Sequence, residues 1–391
     1  MKSKLYIFSL VLLGGLFATG QIFATTGGII GILSPRITYD GRPVLWQNLE
    51  SDEPSMQVSF FQGPRYHFLG LVNAGDTSRV YAGLNTAGFG IVFAKAQVSA
   101  SDSLYEQEAL FLKEILGSCG TLRDFEEQLQ ASSLEFSESS SFACFDAIGG
   151  NALYEAGSER FEPFHPVHSP EGIRVRSNFI FSTSQYADWD FWRYHRAREL
   201  LSTQLQAGSI HFTSMIKTIA RDIATVNLNP YPLPYVDPDT ETHTVDTRAC
   251  INKYNTASCV VLHGVRDGEE PQFSTMWVVL GEPLCGVAVP LWPVTGKVPN
   301  ECSGENPLLN KIIRDNQDVL YNDKQNPTFV NTRLVADPNR GLLPKLDNIE
   351  NRIFVETEKA LKQWKTTSSF MDRMTEFQNQ MSSQTARDIR Y

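Results

Sequence analysis

Short apolar runs separated by turn residues dominate the first third of the chain. From Gly27 to about Ile91 these runs are rich in β-branched and aromatic residues and are bounded by Gly, Pro, Asn or Asp. This pattern is typical of hairpins and meanders. It predicts strands over Gly28–Leu33, Val44–Trp46, Gln57–Phe61, Tyr66–Val72 and Val80–Leu84.

The pattern then changes to a helical period. Leu104–Leu116 has apolar positions at helical spacing and a fitting stop at Gly117, and Thr121 is placed to cap a helix through Leu129. Later runs predict helices over Asp188–Leu205, Ser214–Ala224 and the tail Leu346–Arg390, and strands over Phe142–Ala147, Ala152–Glu155, Arg174–Phe181, Ser258–His263, Gln272–Leu280 and Gly286–Pro290. Blocks of strands alternating with blocks of helices favour an α+β fold, in which helices cover antiparallel sheets.

The N-terminus has the features of an export signal. Basic Met1–Lys4 precedes the apolar run Leu5–Phe17, which is too short for a confident membrane span. Cleavage after Gly20 or after Ala24 fits the small residues there. If the first cut falls after Gly20, a short propeptide from Gln21 to Ala24 could be removed afterwards. We therefore expect a secreted or periplasmic protein without an integral membrane span in its mature chain; an uncleaved anchor is the alternative.

Composition limits the classes of ligand that the protein is expected to bind. The 391 residues are 42% hydrophobic and carry a formal net charge of -10, without a basic patch, which argues against nucleic acid. Six cysteines without a Cys-x-x-Cys pair make a zinc site unlikely. Export would permit disulfides, and Cys285 with Cys302 is the first pair to test.

A cut between Ala24 and Thr25 would expose a particular chemical group. The new first residue would carry a hydroxyl beside a free α-amino group, which titrates near pH ~8 and can take the hydroxyl proton. The mature chain would then begin with a nucleophile and its own base.

Several later segments, together with Thr25-Thr26, carry a family resemblance: Asp40-Gly41, Gln47-Asn48-Leu49-Glu50, Gly83-Leu84-Asn85-Thr86-Ala87-Gly88, the hairpin Cys144–Glu155, Arg176-Ser177-Asn178, Lys253–Ser258 and Thr275-Met276-Trp277. In this order the chain resembles the choloylglycine hydrolase and penicillin V acylase group of N-terminal nucleophile hydrolases. It resembles more closely the branch that is similar to acyl-coenzyme A:6-aminopenicillanic acid acyltransferase.

The resemblance implies a four-layer αββα sandwich over residues 25–343, after a leader over 1–24 and before a helical extension over 344–391. It implies an exported amidase that cleaves a linear, non-peptide C–N amide bond through an acyl-enzyme intermediate. Thr25 would attack and Glu50 would orient its amine, while the backbone amide of Asn85 and the side chain of Asn178 would stabilise the oxyanion. Gln47, Asn48 and either Lys253 or Arg248 would support them.

The same residues leave a second hypothesis open. Ala24 or Thr25 stands where the family keeps a nucleophilic cysteine, Gln47 replaces an arginine and Glu50 replaces an aspartate. A catalytically inactive extracellular binding protein is the alternative function, and a turn residue is the alternative role for Asn85.

The remaining features add little chemistry. Trp189 and Trp192 lie on a predicted helix and are either core residues or the wall of an apolar acyl pocket. The His165 and His168 pair lacks a matching acidic cluster, so no metal is expected, and no organic cofactor is called for. The expected partner is a small amide with an apolar acyl group, and a homo-oligomer stays open.

Overall fold

Strands form where the apolar runs predict them, and helices cover them. The computed structural model describes residues 27–95, 103–132, 140–156, 161–178, 188–208, 210–224, 243–367 and 369–391. The expected leader and Thr25 lie outside the described residues. No helix in the described part of the chain is both long enough and apolar enough to cross a membrane.

The strands of the described residues are β1 (Gly27–Leu33), β2 (Val44–Glu50), β3 (Met56–Gln62), β4 (His67–Asn73), β5 (Ala82–Asn85), β6 (Gly90–Lys95), β7 (Ser140–Phe145), β8 (Asn151–Ala156), β9 (Phe161–Phe164), β10 (Ile173–Arg176), β11 (Thr244–Asp246), β12 (Thr256–His263), β13 (Thr275–Val279), β14 (Val289–Leu291) and β15 (Phe329–Asn331). The helices are α1 (Ser103–Ser118), α2 (Leu122–Ala131), α3 (Asp188–Gln206), α4 (Phe212–Ser214), α5 (Leu308–Leu320), α6 (Thr332–Ala336), α7 (Leu342–Trp364) and α8 (Phe370–Asp388).

The strands form two large sheets. The first has the order β10-β1-β2-β12-β13-β14, the second runs from β3 to β9 in sequence order, and β11 pairs separately with β15. Neighbouring strands within each sheet are antiparallel. The predicted α+β class with antiparallel sheets is confirmed.

The two sheets pack face to face between helices. β1 and β2 lie against β6 and β7, while α1 packs on the outer face of the second sheet and α3 packs against β10 of the first. One continuous apolar core joins the layers. This is the four-layer αββα arrangement that the resemblance implies.

The C-terminal helices belong to that core. Leu346 and Ile353 of α7 and Met381 of α8 are buried in the cluster that also holds the sheets. The predicted boundary between 343 and 344 falls inside α7, which begins at Leu342. An amphipathic helix buries its apolar stripe even where its overall composition is polar.

Local signals predicted the cap of α2 but not every element. Thr121 caps α2 as predicted, and Asp124 completes a capping box with it. The helix predicted over Ser214–Ala224 is instead the short α4 followed by a π-helical turn at Met215–Ile219. β6, β9, α5, α6 and the β11–β15 pair were not predicted.

The cysteine pairing is corrected. All six cysteines are buried and free. The Cys285 thiol donates to Glu282 at 3.6 Å, and the Cys302 sulfur lies 3.7 Å from the Ser382 hydroxyl. The first pair to test, Cys285 with Cys302, is therefore not joined, and each sulfur contacts a different polar partner.

Candidate functional site

A cluster of charged and amide side chains surrounds the start of β1. We call Gly27, Glu50, Asn178, Arg193 and Lys253 the strand-start cluster. Gly27 pairs with Glu50 across the β1–β2 ladder, and this register follows from the pairing of Leu33 with Val44 at the other end. Strand alternation then places Glu50 on the face of β2 that meets the helices.

Glu50 is completely buried and doubly paired. Its Oε1 accepts a hydrogen bond from Arg193 of α3, and its Oε2 lies 2.8 Å from the Lys253 ammonium. The Arg193 side chain has no solvent exposure either, and its second amino group lies 3.4 Å from Asp190. Each carboxylate oxygen of Glu50 therefore has a cationic partner already.

The electrostatics keep Glu50 ionised. Burial acts to raise the pKa of Glu50, but the attraction of Arg193 and Lys253 outweighs it and lowers the pKa below its ordinary value. For Asp190 the balance is reversed, since burial raises its pKa despite the nearby Arg193. The cluster thus holds an ion pair network built around a fixed negative charge.

Asn178 closes the cluster against the backbone of β1. Its Oδ1 accepts a hydrogen bond of 2.7 Å from the backbone N–H of Gly28. A Cβ added at Gly27 would lie 2.6 Å from this oxygen and 3.0 Å from Nδ2. The position opposite Glu50 and against the Asn178 amide therefore carries no side chain, and none fits without displacing that amide.

Thr25 lies just outside the described residues. It precedes Gly27 by two positions in the sequence. Three predicted site residues, Glu50, Asn178 and Lys253, thus meet near the point where the chain continues towards Thr25.

Asn85 does not join them. It ends β5 in the other sheet, where its backbone N–H donates to Phe89 O at 3.0 Å. Its side chain donates to Leu116 O and Cys119 O and accepts from the backbone of Ala87 and Phe89. These contacts occupy the N–H that was expected to serve an oxyanion, so the geometry favours the turn role.

Gln47 and Asn48 point away from each other. Gln47 faces the second sheet and donates to Tyr81 O and Phe93 O at 3.2 and 2.6 Å. Asn48 faces the helices and donates to Ala220 O at 2.9 Å, while its Oδ1 accepts from Trp46 Nε1. Both amides join layers of the fold.

The choice between Lys253 and Arg248 is decided by distance. Lys253 contacts Glu50 directly, whereas the Arg248 side chain is 60% exposed and pairs with Asp246. Of the tryptophans, Trp192 is half-buried with an indole N–H that lacks a hydrogen-bond partner. The side chain of Trp189 lies outside the described residues.

Sequence reasoning missed Arg193, which holds the cluster together. It stands in a helix segment that is mainly aromatic, Trp189-Asp190-Phe191-Trp192-Arg193-Tyr194. An arginine in an apolar segment needs a buried acidic partner, and this was the available signal. Among the described residues, no group of three or more His, Cys, Asp or Glu side chains is arranged to hold a metal ion.

The layers and the antiparallel sheets define the class of fold, an αββα sandwich. No protein-family model and no curated protein matches the chain.

Solved structures are similar to it. A Caenorhabditis elegans ortholog of N-acylethanolamine-hydrolyzing acid amidase is 14% identical, with a TM-score of 0.40, over 60% of this chain and 92% of its own. A variant of conjugated bile acid hydrolase from Clostridium perfringens is 12% identical, with a TM-score of 0.41, over 68% and 92%. Penicillin V acylase from Agrobacterium tumefaciens is 11% identical, with a TM-score of 0.37, over 68% and 85%. At these identities the likeness concerns the fold alone.

Proposed function

We propose that this chain is a binding protein built on an amide-hydrolase fold and that it does not itself hydrolyse amides. The observation that carries the proposal is the geometry at Gly27. Gly27 lies between Glu50, the expected orienting carboxylate, and Asn178, the expected oxyanion donor, and it has no side chain that could act as a nucleophile. A Cβ there would lie 2.6 Å from Asn178 Oδ1.

The state of Glu50 supports the same proposal. A carboxylate that orients a terminal amine must offer it an oxygen, and each oxygen of Glu50 already accepts a hydrogen bond from a cation, Oε1 from Arg193 and Oε2 from Lys253. A third cation would have to enter a fully buried site and compete with two bonded ones, at a high desolvation cost. The expected second oxyanion donor, the Asn85 amide, is also occupied.

Turnover assays on the processed protein test this proposal. We expect no release of amine from linear N-acyl amides with apolar acyl groups, and the same result for Thr25→Ala and for the neighbouring control Thr26→Ala. Hydrolysis that Thr25→Ala abolishes and Thr26→Ala preserves would contradict the proposal. The N-terminal residue of each preparation is established by mass spectrometry, so that a retained leader is distinguished from an inactive mature chain.

Hydrolysis by Thr25 is the second candidate function. The observation in its favour is that Glu50, Lys253 and Asn178 converge near the start of β1, within two residues of Thr25 along the chain. In this mechanism the Thr25 hydroxyl attacks the amide carbonyl and passes its proton to its own amine, which gives that proton to the leaving amine as the C–N bond breaks. Water then attacks the resulting ester, and the carboxylic acid leaves while the Thr25 hydroxyl is restored. The mechanism requires cleavage at Ala24–Thr25, and the amine must share the Glu50 carboxylate with Arg193 and Lys253 or find another acceptor.

We also propose export through the N-terminal leader. The proposal rests on the basic start and the apolar run Leu5–Phe17. Fractionation of expressing cells tests it, with recovery of a processed chain outside the cytoplasm as the expected result. An unprocessed chain retained in the cytoplasm would contradict it.

A further inference from the structure

A cleft runs along the open edge of the first sheet, beside β10. It has a volume of about 360 Å³ and lies between β10, the Pro166–His168 turn with the residues after it, and α3. We define the arginine cleft by six of its lining residues: Phe164, Ile173, Arg174, Arg176, Tyr194 and Arg198. Its residue Arg176 precedes Asn178 by two positions in the sequence. The helix α3 contributes Arg198 to the cleft and Arg193 to the strand-start cluster.

Two of its arginines are bound by carboxylates. Arg176 donates through Nε to Glu155 of β8, and Arg198 donates to Glu171. Arg198 also donates to the Tyr194 hydroxyl at 3.2 Å. These pairs fix two guanidinium groups and hold the cleft walls together.

Arg174 has no such partner. Its Nη1 donates to Ile173 O at 3.2 Å, and it forms no ion pair with any described residue. Burial lowers the pKa of Arg174, and repulsion from Arg176 and Arg198 lowers it further, with Glu171 acting in the opposite direction. The guanidinium is half-buried beside two other cations, an arrangement that favours an added negative charge.

Arg36 adds to this excess at the rim. It donates to Ser169 O at 2.6 Å and to Pro170 O at 3.3 Å, both in the wall of the cleft, and it forms no ion pair within the described residues. Four arginines therefore surround the cleft, and the described residues supply Glu155 and Glu171 as carboxylate partners of two of them. The rest of the chain is acidic overall, so this local excess is not a general property of its surface.

Two aromatic rings lie beside the arginines. Phe164 lies under the Arg176 guanidinium at 5.2 Å, and the Tyr194 ring lies 5.8 Å from the Arg198 guanidinium. Ser169, Pro170 and Glu171 also line the cleft, whereas the Ile173 and Val175 side chains alternate with the arginines along β10 and are buried in the core. Aromatic surface beside a few convergent polar groups suits a small organic ligand.

We propose that the arginine cleft binds the carboxylate of a small organic acid, whose apolar part packs against Phe164 and Tyr194. Arg174 supplies the planar pair of N–H donors that matches a carboxylate, while Arg176 and Arg198 contribute charge. A carboxylate is favoured over phosphate because Arg174 alone of the three lining arginines has no acidic partner among the described residues, and because Phe164 and Tyr194 offer apolar surface beside it. This inference rests on the proposed function only in taking ligand binding to be the role of the chain.

Isothermal titration calorimetry on the processed protein at low salt tests the cleft. The probes are phenylbutyrate, its neutral amide phenylbutyramide, acetate and inorganic phosphate. We expect phenylbutyrate to bind, and the amide and acetate to bind at least about tenfold more weakly. The amide lacks the negative charge of the carboxylate, and acetate lacks the apolar part of the ligand. No binding of phenylbutyrate, equal binding of its amide, or displacement by equimolar phosphate would overturn the proposal.

Two variants locate the binding. Arg174→Gln keeps most of the side-chain length and is expected to weaken phenylbutyrate binding about tenfold or more. The control Arg248→Gln removes an exposed arginine that pairs with Asp246 and is expected to bind as the wild type does. Unchanged affinity in Arg174→Gln, with both variants folded by circular dichroism, would refute the assignment. Hydrolysis is measured at Thr25 and binding at Arg174, so the failure of one proposal is distinguished from the failure of the other.

Discussion

The strand-start cluster and the arginine cleft both place arginines of α3 beside the first sheet, but they differ in how the charges are met. Arg193 is fully buried and bonded to Glu50, whereas Arg198 is partly exposed and Arg174 has no carboxylate partner among the described residues. A site whose polar groups satisfy one another serves the fold, because a ligand must break those bonds to enter. A site with unmet charge and open volume is suited to a ligand.

The largest expected effect comes from breaking the closed site. Glu50→Gln leaves Lys253 without its carboxylate partner and Arg193 with Asp190 alone, both in buried positions, and we expect the free energy of unfolding to fall by roughly 3–5 kcal/mol. Urea denaturation measures this loss. The control Glu127→Gln removes an exposed i,i+4 partner of Arg123 and should cost under about 0.5 kcal/mol. Equal, small losses in both variants would mean that Glu50 is not the centre of the network.

The pH dependence of that loss sharpens the comparison. In the folded chain the pKa of Glu50 lies below its ordinary value of 4.5, so its contribution to stability is present above pH 4.5 and is lost as the pH falls through the folded value. We expect the stability difference between wild type and Glu50→Gln to be constant near neutral pH and to shrink in acid. Denaturation series at several pH values measure it, and a difference that grows in acid would contradict the sign.

Asn85 distinguishes a turn residue from an oxyanion donor. Asn85→Ala removes the donors to Leu116 O and Cys119 O, and we expect a loss of about 2–4 kcal/mol because two buried carbonyls lose their partners. Thermal and urea unfolding measure it against Asn339→Ala, which changes an exposed asparagine. An unchanged stability would remove the structural explanation of this residue.

Gly27 tests whether the closed site has room for a side chain. Gly27→Ala is expected to cost about 1–3 kcal/mol, because its Cβ meets the Asn178 amide. In an Asn178→Ala background the same change should cost less, and a double-mutant cycle isolates this coupling. Strictly additive losses would show that the two residues do not compete for space.

The smallest expected effect belongs to the open site. Arg174→Gln should change the free energy of unfolding by no more than about 0.5 kcal/mol, since it breaks no ion pair with a described residue and relieves repulsion from Arg176 and Arg198. The same variant is expected to lose ligand affinity. A large destabilisation would place Arg174 with the closed site, contrary to the comparison.

The fold was largely predictable because its signals are local. Thr121 is the expected N-cap of α2, and the Asp146–Asn151 turn joins β7 and β8 as the Gly149-Gly150 pair suggests. β6 was not predicted because no polar residue separates it from the Gly88-Phe89 turn, and its first polar residue is Lys95 at its end.

The site was harder to predict because it depends on register and on distant partners. Gly27 pairs with Glu50 because Leu33 pairs with Val44 at the other end of the two strands. The length of the loop between Leu33 and Val44 does not predict this register. Arg193 is 143 positions from Glu50 in sequence, and no local period links them. The alternation Ile173-Arg174-Val175-Arg176 places both arginines on one face of a strand. The sequence did not predict that this strand, β10, lies at the edge of the sheet, where the arginines can line a cleft.

Intact-mass analysis of the processed protein, after incubation with an activated acyl ester, tests the central claim most directly. An N-terminal nucleophile forms an ester that adds the mass of the acyl group, whatever the natural substrate is. We predict no adduct that depends on the Thr25 hydroxyl: after digestion, any acylation of the N-terminal peptide, including that of its α-amine, is equal in wild type, Thr25→Ala and Thr26→Ala. An acyl adduct on Thr25 that is present in wild type and Thr26→Ala, and absent from Thr25→Ala, would contradict the account.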